Sequence, residues 1–262
     1  NKKALQGELD ITKLSFQAFA HVSDKYVLLD AGSALGFGVG PLLISKTAYT
    51  PEEVKSKPSL CVGIPGTYTT ANFLLGIAFP ALQNKKELVF SAIEESLLNE
   101  AVNLGVIIHE NRFTYAQKGL HKVMDLGDYW EQETGMPIPL GGILIKRNID
   151  TETQHTVNRL IRKSVEYAFA NPNSSADFVK YHAQEMEKEV VDAHIALYVN
   201  IYSISLGEQG IKAVELLFEK FNSVDANFIE RFLRLVQIQK FSSDLHTFVE
   251  IRLFKFLCKQ IE

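Results

Sequence analysis

Two short segments of the chain carry residue types that could bind and transform a small molecule. Residues 62–71 read Val-Gly-Ile-Pro-Gly-Thr-Tyr-Thr-Thr-Ala, which predicts a strand, a Pro-Gly turn and a helix that starts near Thr69 and Thr70. The start of a helix offers backbone N–H groups and hydroxyls to an anion. Residues 105–112 read Gly-Val-Ile-Ile-His-Glu-Asn-Arg, a short apolar strand that ends at His109, whose imidazole titrates near neutral pH. An anion site and a titratable imidazole in one chain suggest an enzyme.

The elements predicted around these two segments alternate between strands and helices. Gly66 is expected to supply the positive φ that the Pro-Gly turn requires. Ligands of open α/β sheets bind beyond the carboxyl ends of the strands, so the helix start and His109 could face one bound molecule. Apolar periodicity predicts strands at 60–64, 88–90 and 106–109 and helices at 69–82 and 93–103.

Two stretches of the chain begin with glycines and continue with apolar residues. This pattern predicts strands that cross between two lobes. They lie at residues 33–46 and 139–146, and they bracket one inserted α/β lobe. Beyond the second crossing the chain is predicted to be helical, beginning with an apolar stripe after a cap at Asp150 or Thr151. Further helices are predicted at 176–185, 188–203 and 208–221.

The composition excludes several classes of protein. A chain of 262 residues, 46% hydrophobic and 22% charged, is long enough for two modest globular lobes. A net charge of -4 without a basic stripe argues against binding to nucleic acid. The longest apolar run, residues 31–45, contains four glycines and a proline, so it does not predict a membrane-spanning helix. Cys61 and Cys258 have no partners at metal or redox spacing, and two reduced thiols favour a cytoplasmic location.

Each candidate residue also has a purely structural interpretation. His109 could be a core histidine at the end of a strand, and Thr69 and Thr70 could cap the helix without touching a ligand. Arg112 could clamp a carboxylate through two nitrogens or pair with its neighbour Glu110. From the residues alone these alternatives stay open.

Six strings resemble the 1,4-dihydroxy-6-naphthoate synthases of menaquinone biosynthesis, the MqnD family of the futalosine pathway. The resemblance covers about residues 1–221 in order, and the PGTYTTA and GVIIHENRFTY strings are the most specific. The strings are TKLSF (12–16), ALGFGVGPL (34–42), PGTYTTA (65–71), GVIIHENRFTY (105–115), DLGDYWEQETGMPIPLGGI (125–143) and AHIALYVNIYS (193–203).

The resemblance implies an α/β fold like that of the type 2 periplasmic binding proteins. Two lobes joined by two crossing strands would clamp the ligand between them. The larger lobe would take residues 1–45 and 145–221, and the smaller, inserted lobe would take 46–144. Residues 222–262 resemble nothing in the family, and the strand–helix–strand unit with which the family begins is expected to be missing here.

The resemblance also implies a lyase that converts cyclic dehypoxanthine futalosine to 1,4-dihydroxy-6-naphthoate. The family uses no metal and no organic cofactor. His109 corresponds to the proposed general base in the cleft between the lobes. The substrate-binding positions of the family, with one plausible neighbour, fall on Lys13, Leu14, Ser15, Thr69, Thr70 and Ala71.

The expected partner is a small carboxylated substrate, with neither nucleic acid nor membrane involved. A homodimer is left open. Two other functions are considered beside the synthase. One is the sister lyase chorismate dehydratase, and the other is a non-catalytic solute-binding protein of the same fold, which would need the cleft but not the histidine base.

Overall fold

The computed structural model describes residues 1–108, 111–182 and 188–222. The residues outside this description are His109, Glu110, 183–187, which include the end of the predicted helix 176–185, and 223–262, which make up nearly all of the C-terminal segment 222–262. The chain divides into two compact units. The first takes its described residues from Asn1–Leu35, Pro139–Lys188 and Val199–Glu262, and the second from Gly36–Ile138 and Glu189–Tyr198.

The described residues form strands and helices up to Lys146 and helices after that. The strands are β1 (Ile11–Ser15), β2 (Tyr26–Leu28), β3 (Ala34–Gly36), β4 (Leu42–Ser45), β5 (Val62–Ile64), β6 (Lys85–Glu87), β7 (Leu104–Ile107), β8 (His121–Asp125) and β9 (Ile138–Lys146). The helices are α1 (Lys2–Gln6), α2 (Phe16–Ala20), α3 (Pro51–Lys55), α4 (Thr70–Ala78), α5 (Phe90–Leu98), α6 (Asn111–Thr114), α7 (Leu126–Thr134), α8 (Thr151–Ala170), α9 (Ala176–His182), α10 (Lys188–Tyr198), α11 (Ile201–Ile204) and α12 (Gly207–Asn222), with a 3-10 turn at Tyr115–Lys118.

The first unit is built on β9. This strand is antiparallel to both β1 and β2, and β3 pairs with it as well. Nearly all of β9 is buried, which explains why it reads as a continuous apolar run rather than an alternating one. A methyl group at Gly141 would lie 2.5 Å from the carbonyl oxygen of Leu14, so glycine is required where β9 approaches β1. Helix α8 packs on this sheet through Ile161.

The second unit contains a five-stranded sheet in the order β6-β5-β7-β4-β8. Strand β5 is parallel to both β6 and β7, whereas β4 is antiparallel to β7 and β8. The carboxyl ends of β5, β6 and β7 therefore meet at one edge of the sheet. Helix α5 covers the sheet through Ile93 and Leu97, and Gly105 on β7 leaves room for them.

The units divide at other positions than the sequence predicted. We expected the boundaries at 45/46 and 144/145, but the described residues change unit at 35/36 and 138/139. The reason is that the run 33–46 is two strands: β3 pairs with β9, while β4 pairs with β7 and β8 of the second sheet. Residues Glu189–Tyr198, expected in the larger lobe, belong to the second unit.

The prediction of a strand at 88–90 is wrong. The strand is β6, three residues earlier, and Phe90 begins α5. Its charged sequence, Lys85-Lys86-Glu87, is what an edge strand can carry, and apolar periodicity does not detect it. Within the described residues, no helix is both long and apolar enough to cross a membrane.

Candidate functional site

The start of α4 has the geometry that the Pro-Gly turn predicted. Gly66 adopts a φ of +147°, a conformation that favours glycine. Thr69 is the N-cap: its hydroxyl accepts a hydrogen bond from the N–H of Asn72 at 3.2 Å and donates one to the carbonyl of Gly66 at 2.8 Å. The capping interpretation of Thr69 is therefore confirmed.

Thr70 and Ala71 form the first turn of α4 and are almost fully buried. Their exposed fractions are 3% and 4%. The first intrahelical bond runs from the N–H of Phe73 to the carbonyl of Thr69, so the N–H groups of Thr70 and Ala71 precede it. A ligand at this end of α4 would meet mainly backbone donors and the positive end of the helix dipole.

Two contacts tie the start of α4 to the neighbouring strand β6. The backbone N–H of Thr67 donates to Glu87 Oε1 at 2.7 Å, and the Thr67 hydroxyl donates to the same oxygen. Lys85 Nζ donates to Asn72 Oδ1 at 2.9 Å, and burial lowers the pKa of this lysine. The loop after β5 is thus joined to the last residue of β6, and α4 is joined to the first residue of β6.

His109 and its neighbour Glu110 lie outside the described residues, but Ile108 before them and Asn111 after them are described. Ile107 closes β7 opposite Leu42, and Ile108 is buried. On the other side, Asn111 Nδ2 donates to Glu94 Oε2 at 2.5 Å. Both flanks of the histidine are therefore held by the second unit, at the carboxyl end of β7.

Arg112 is held by two groups that the sequence did not suggest. Its Nη1 donates to the carbonyl of Gly40 at 2.6 Å, and its Nη2 pairs with Asp125 Oδ2 at 2.5 Å. The other oxygen of Asp125 caps α7 by accepting from the N–H groups of Gly127 and Asp128. Since two of its nitrogens bind the protein, Arg112 holds α6 against β8 and α7.

The other predicted binding residues lie on β1 in the first unit. Leu14 is 2% exposed, so its side chain belongs to the core. Ser15 Oγ accepts from the N–H of Ala18 at 3.1 Å and caps α2. Lys13 is partly exposed and lies opposite Ile143 of β9. The structure thus places Lys13, Leu14 and Ser15 together on one strand, and Thr69, Thr70 and Ala71 together at one helix start, in different units.

Sequence reasoning missed the apolar side chains exposed at the carboxyl edge of the second sheet. Each of the three parallel strands is followed by at least one of them. The signal that could have found them is an apolar residue in the loop or the helix start that follows a strand, where a core position is not required. They are Tyr68 after β5, Val89 and Phe90 after β6, and Phe113 after β7, with exposed fractions of 42%, 70%, 40% and 38%.

Glu131 on α7 is a second feature that the sequence did not reveal. Its Oε1 accepts a hydrogen bond from the N–H of Gly38 at 2.6 Å, which attaches the loop between β3 and β4 to this helix. Burial raises the pKa of Glu131 above its usual range, and the nearby carboxylates of Asp128 and Asp125 raise it further. In the described part of the chain, no group of three or more His, Cys, Asp or Glu residues could hold a metal ion.

Comparison with known proteins places this geometry in a family. A family model described as menaquinone biosynthesis matches residues 1–223. The 1,4-dihydroxy-6-naphthoate synthase of Thermus thermophilus is 42% identical over 218 residues, covering 83% of this chain and 78% of that protein. The enzyme of the same name from Streptomyces coelicolor is 37% identical over 225 residues, covering 84% and 78%.

Solved structures agree with the predicted fold. The crystal structure of a protein from Archaeoglobus fulgidus, 32% identical, matches with a TM-score of 0.79 over 86% of this chain and 83% of that one. The periplasmic aliphatic sulphonate binding protein of Escherichia coli, 11% identical, matches with a TM-score of 0.58 over 95% and 82%. The prediction of a periplasmic-binding-protein-like α/β fold is thus confirmed. Because the family model matches residues 1–223 and the named relatives agree with it, the chain belongs to the menaquinone biosynthesis family.

Proposed function

We propose that this chain is a 1,4-dihydroxy-6-naphthoate synthase, a carbon–carbon lyase of menaquinone biosynthesis, with His109 as its general base. Two curated relatives carry that name, and the chain spans 78% of the length of each. The same name specifies a product with a flat naphthalene ring and one carboxylate. The proposal therefore requires an anion site, an apolar surface and a base close to one another.

The observation that carries the proposal is the carboxyl edge of the sheet in the second unit. The start of α4 supplies backbone donors at the end of β5, which suits a carboxylate. Val89 and Phe90 add exposed apolar surface at the end of β6, which suits a flat ring. The strand that leads to His109, β7, is the other neighbour of β5. Three loops at one edge thus provide the three kinds of group.

The role proposed for His109 is removal of a proton from the substrate. Loss of that proton allows a carbon–carbon bond to break, so that the sugar-derived part leaves and the remaining ring becomes aromatic, which drives the step. A base of this kind works best with a pKa near the working pH, and it contributes about 10²–10⁴ to the rate. The start of α4 would hold the carboxylate while the base acts.

The deciding experiment is incubation of the chain with cyclic dehypoxanthine futalosine. We expect new ultraviolet absorbance from a naphthalene ring and a product with the mass of 1,4-dihydroxy-6-naphthoate. A parallel incubation with chorismate tests the sister reaction and should leave chorismate unchanged. Binding of the first substrate without turnover would contradict the proposal and favour a solute-binding protein.

A further inference from the structure

A buried carboxylate on α5 is not explained by the fold alone. Glu94 has a side chain that is 5% exposed. Its Oε2 accepts from Asn111 Nδ2 at 2.5 Å and pairs with Lys118 Nζ at 2.6 Å. Its Oε1 is buried and has no hydrogen-bond partner among the described residues. Burying a charge with one unsatisfied oxygen costs stability, so an apolar residue at this position would serve the core better.

The two partners of Glu94 belong to one short segment. Asn111 begins α6, and Lys118 ends the 3-10 turn that follows it. Tyr115 between them packs against the core cluster that contains Ile93 and Leu97 of α5. One carboxylate therefore fixes both ends of the segment 111–118 on α5.

This segment follows directly after the position that the proposed mechanism requires. Asn111 is two residues beyond His109, and the residues before the histidine are fixed by β7. Both partners of the Glu94 carboxylate therefore lie in the segment that continues the chain after the histidine.

We propose that Glu94 is a positioning residue for the general base: through Asn111 and Lys118 it holds the segment 111–118, which begins two residues after His109. This inference rests on the proposed function. In the proposed role, Glu94 contacts neither the substrate nor the reacting atoms. A displacement of about 1 Å at a catalytic group can cost about a hundredfold in rate, which gives such a contact value beyond stability.

The test compares Glu94→Gln with Glu95→Gln, a matched change at the exposed neighbour on the same helix. For each folded variant we would measure kcat and KM for naphthoate formation and the Kd of 2-naphthoate, a stable analogue of the product. In Glu94→Gln we expect kcat to fall about tenfold or more, with KM and Kd within about threefold of the wild type. Glu95→Gln should change none of the three by more than about twofold.

A second variant covers the case in which Glu94→Gln does not fold. Asn111→Ala removes the hydrogen bond but keeps the carboxylate and its ion pair with Lys118, and it should lower kcat with the same small effect on KM. Where both single variants fold, Glu94→Ala combined with Asn111→Ala should lose about as much kcat as Glu94→Ala alone, because Glu94→Ala already removes the acceptor of the Asn111 hydrogen bond.

The outcomes separate this inference from the proposed function. A wild-type chain that forms no naphthoate would contradict the proposed function, and this inference with it. A wild-type chain that turns over, with kcat in both Glu94→Gln and Asn111→Ala within twofold of it, would overturn the positioning role alone. Equal changes in kcat and KM would also overturn it, because a positioned base acts on the chemical step and not on ground-state binding.

Discussion

At the scale of single residues, His109 is the group whose removal should separate catalysis from binding. His109→Asn is expected to lower kcat by about 10²–10⁴ and to leave the Kd of 2-naphthoate within about tenfold. The control is His121→Asn, which changes an exposed histidine on β8. Steady-state kinetics and a binding titration on both variants test this. Activity of His109→Asn within threefold of the wild type would refute the assignment.

Thr69 allows a test of capping against ligand binding. Its hydroxyl both accepts from Asn72 and donates to Gly66, so Thr69→Ala should destabilise the protein by about 1 kcal/mol, within the usual range for N-caps. Thr69→Ser keeps both hydrogen bonds and should be nearly neutral. Urea unfolding measures the stability of each. A rise in KM for Thr69→Ala at temperatures where the variant is fully folded would show that this residue also contacts substrate.

The features of the candidate site that could be predicted are those formed by residues close together in the sequence. The positive φ of Gly66 and a cap at Thr69 follow from a turn of a few residues, which is visible in sequence. The partners of Arg112 were not predictable in this way. Gly40 and Asp125 come close to it only after β4 and β8 have paired, and charge alone does not say which of many carboxylates an arginine will reach.

At the scale of elements, two glycines of the second unit bring a loop and a helix into backbone contact. A methyl group at Gly40 would lie 2.2 Å from Cα of Gly127, so the loop before β4 touches the start of α7 backbone to backbone. Gly127→Ala should therefore destabilise the protein by about 1–3 kcal/mol, the range for overpacking that forces a backbone shift.

The same substitution at Gly76 is the control and should have the opposite sign. Gly76 lies within α4, and a methyl group there would meet nothing within 4 Å. Gly76→Ala should stabilise the protein by about 0.5–1 kcal/mol, because glycine lowers helix stability. Chemical denaturation of the two variants gives both values. A neutral Gly127→Ala variant would contradict the close approach of these two backbones.

Apolar periodicity located helices better than it located short strands. The predicted helix at 69–82 is α4, although it ends at Ala78, and the predicted helix 188–203 is divided into α10 and α11. Asn200 explains the division, because it caps α11 with its side chain. All three residues of β6 are charged, and the segment forms a strand because its backbone pairs with that of β5.

At the scale of the whole molecule, the two units were predictable but their limits were not. Two crossings could be read from two Gly-rich apolar runs, since each run is long enough for a buried strand. The sequence did not show that the first run would divide between two sheets. It also could not assign Glu189–Tyr198 to the second unit, because a helical pattern shows that a face is buried and not which surface buries it.

The pH dependence of stability offers a last prediction, which depends on Glu131. Because burial raises the pKa of this carboxyl in the folded chain, the folded state binds its proton more tightly than the unfolded state does. The contribution of Glu131 to the free energy of unfolding must then fall as the pH rises from the ordinary value for glutamate through the raised one. Glu131→Gln cannot titrate, and its amide oxygen can still accept from the N–H of Gly38.

We therefore expect the wild type to gain stability relative to Glu131→Gln on acidification through that window, and the difference to be constant above it. Urea unfolding of both proteins across roughly pH 4–8 measures this difference directly. Glu133→Gln, at an exposed residue of the same helix, controls for the loss of one negative charge. Other carboxyl groups change the stability of all three proteins with pH, and they cancel in the comparison. A wild type that instead gains stability relative to Glu131→Gln as the pH rises would show that the Gly38 hydrogen bond outweighs burial at this carboxylate.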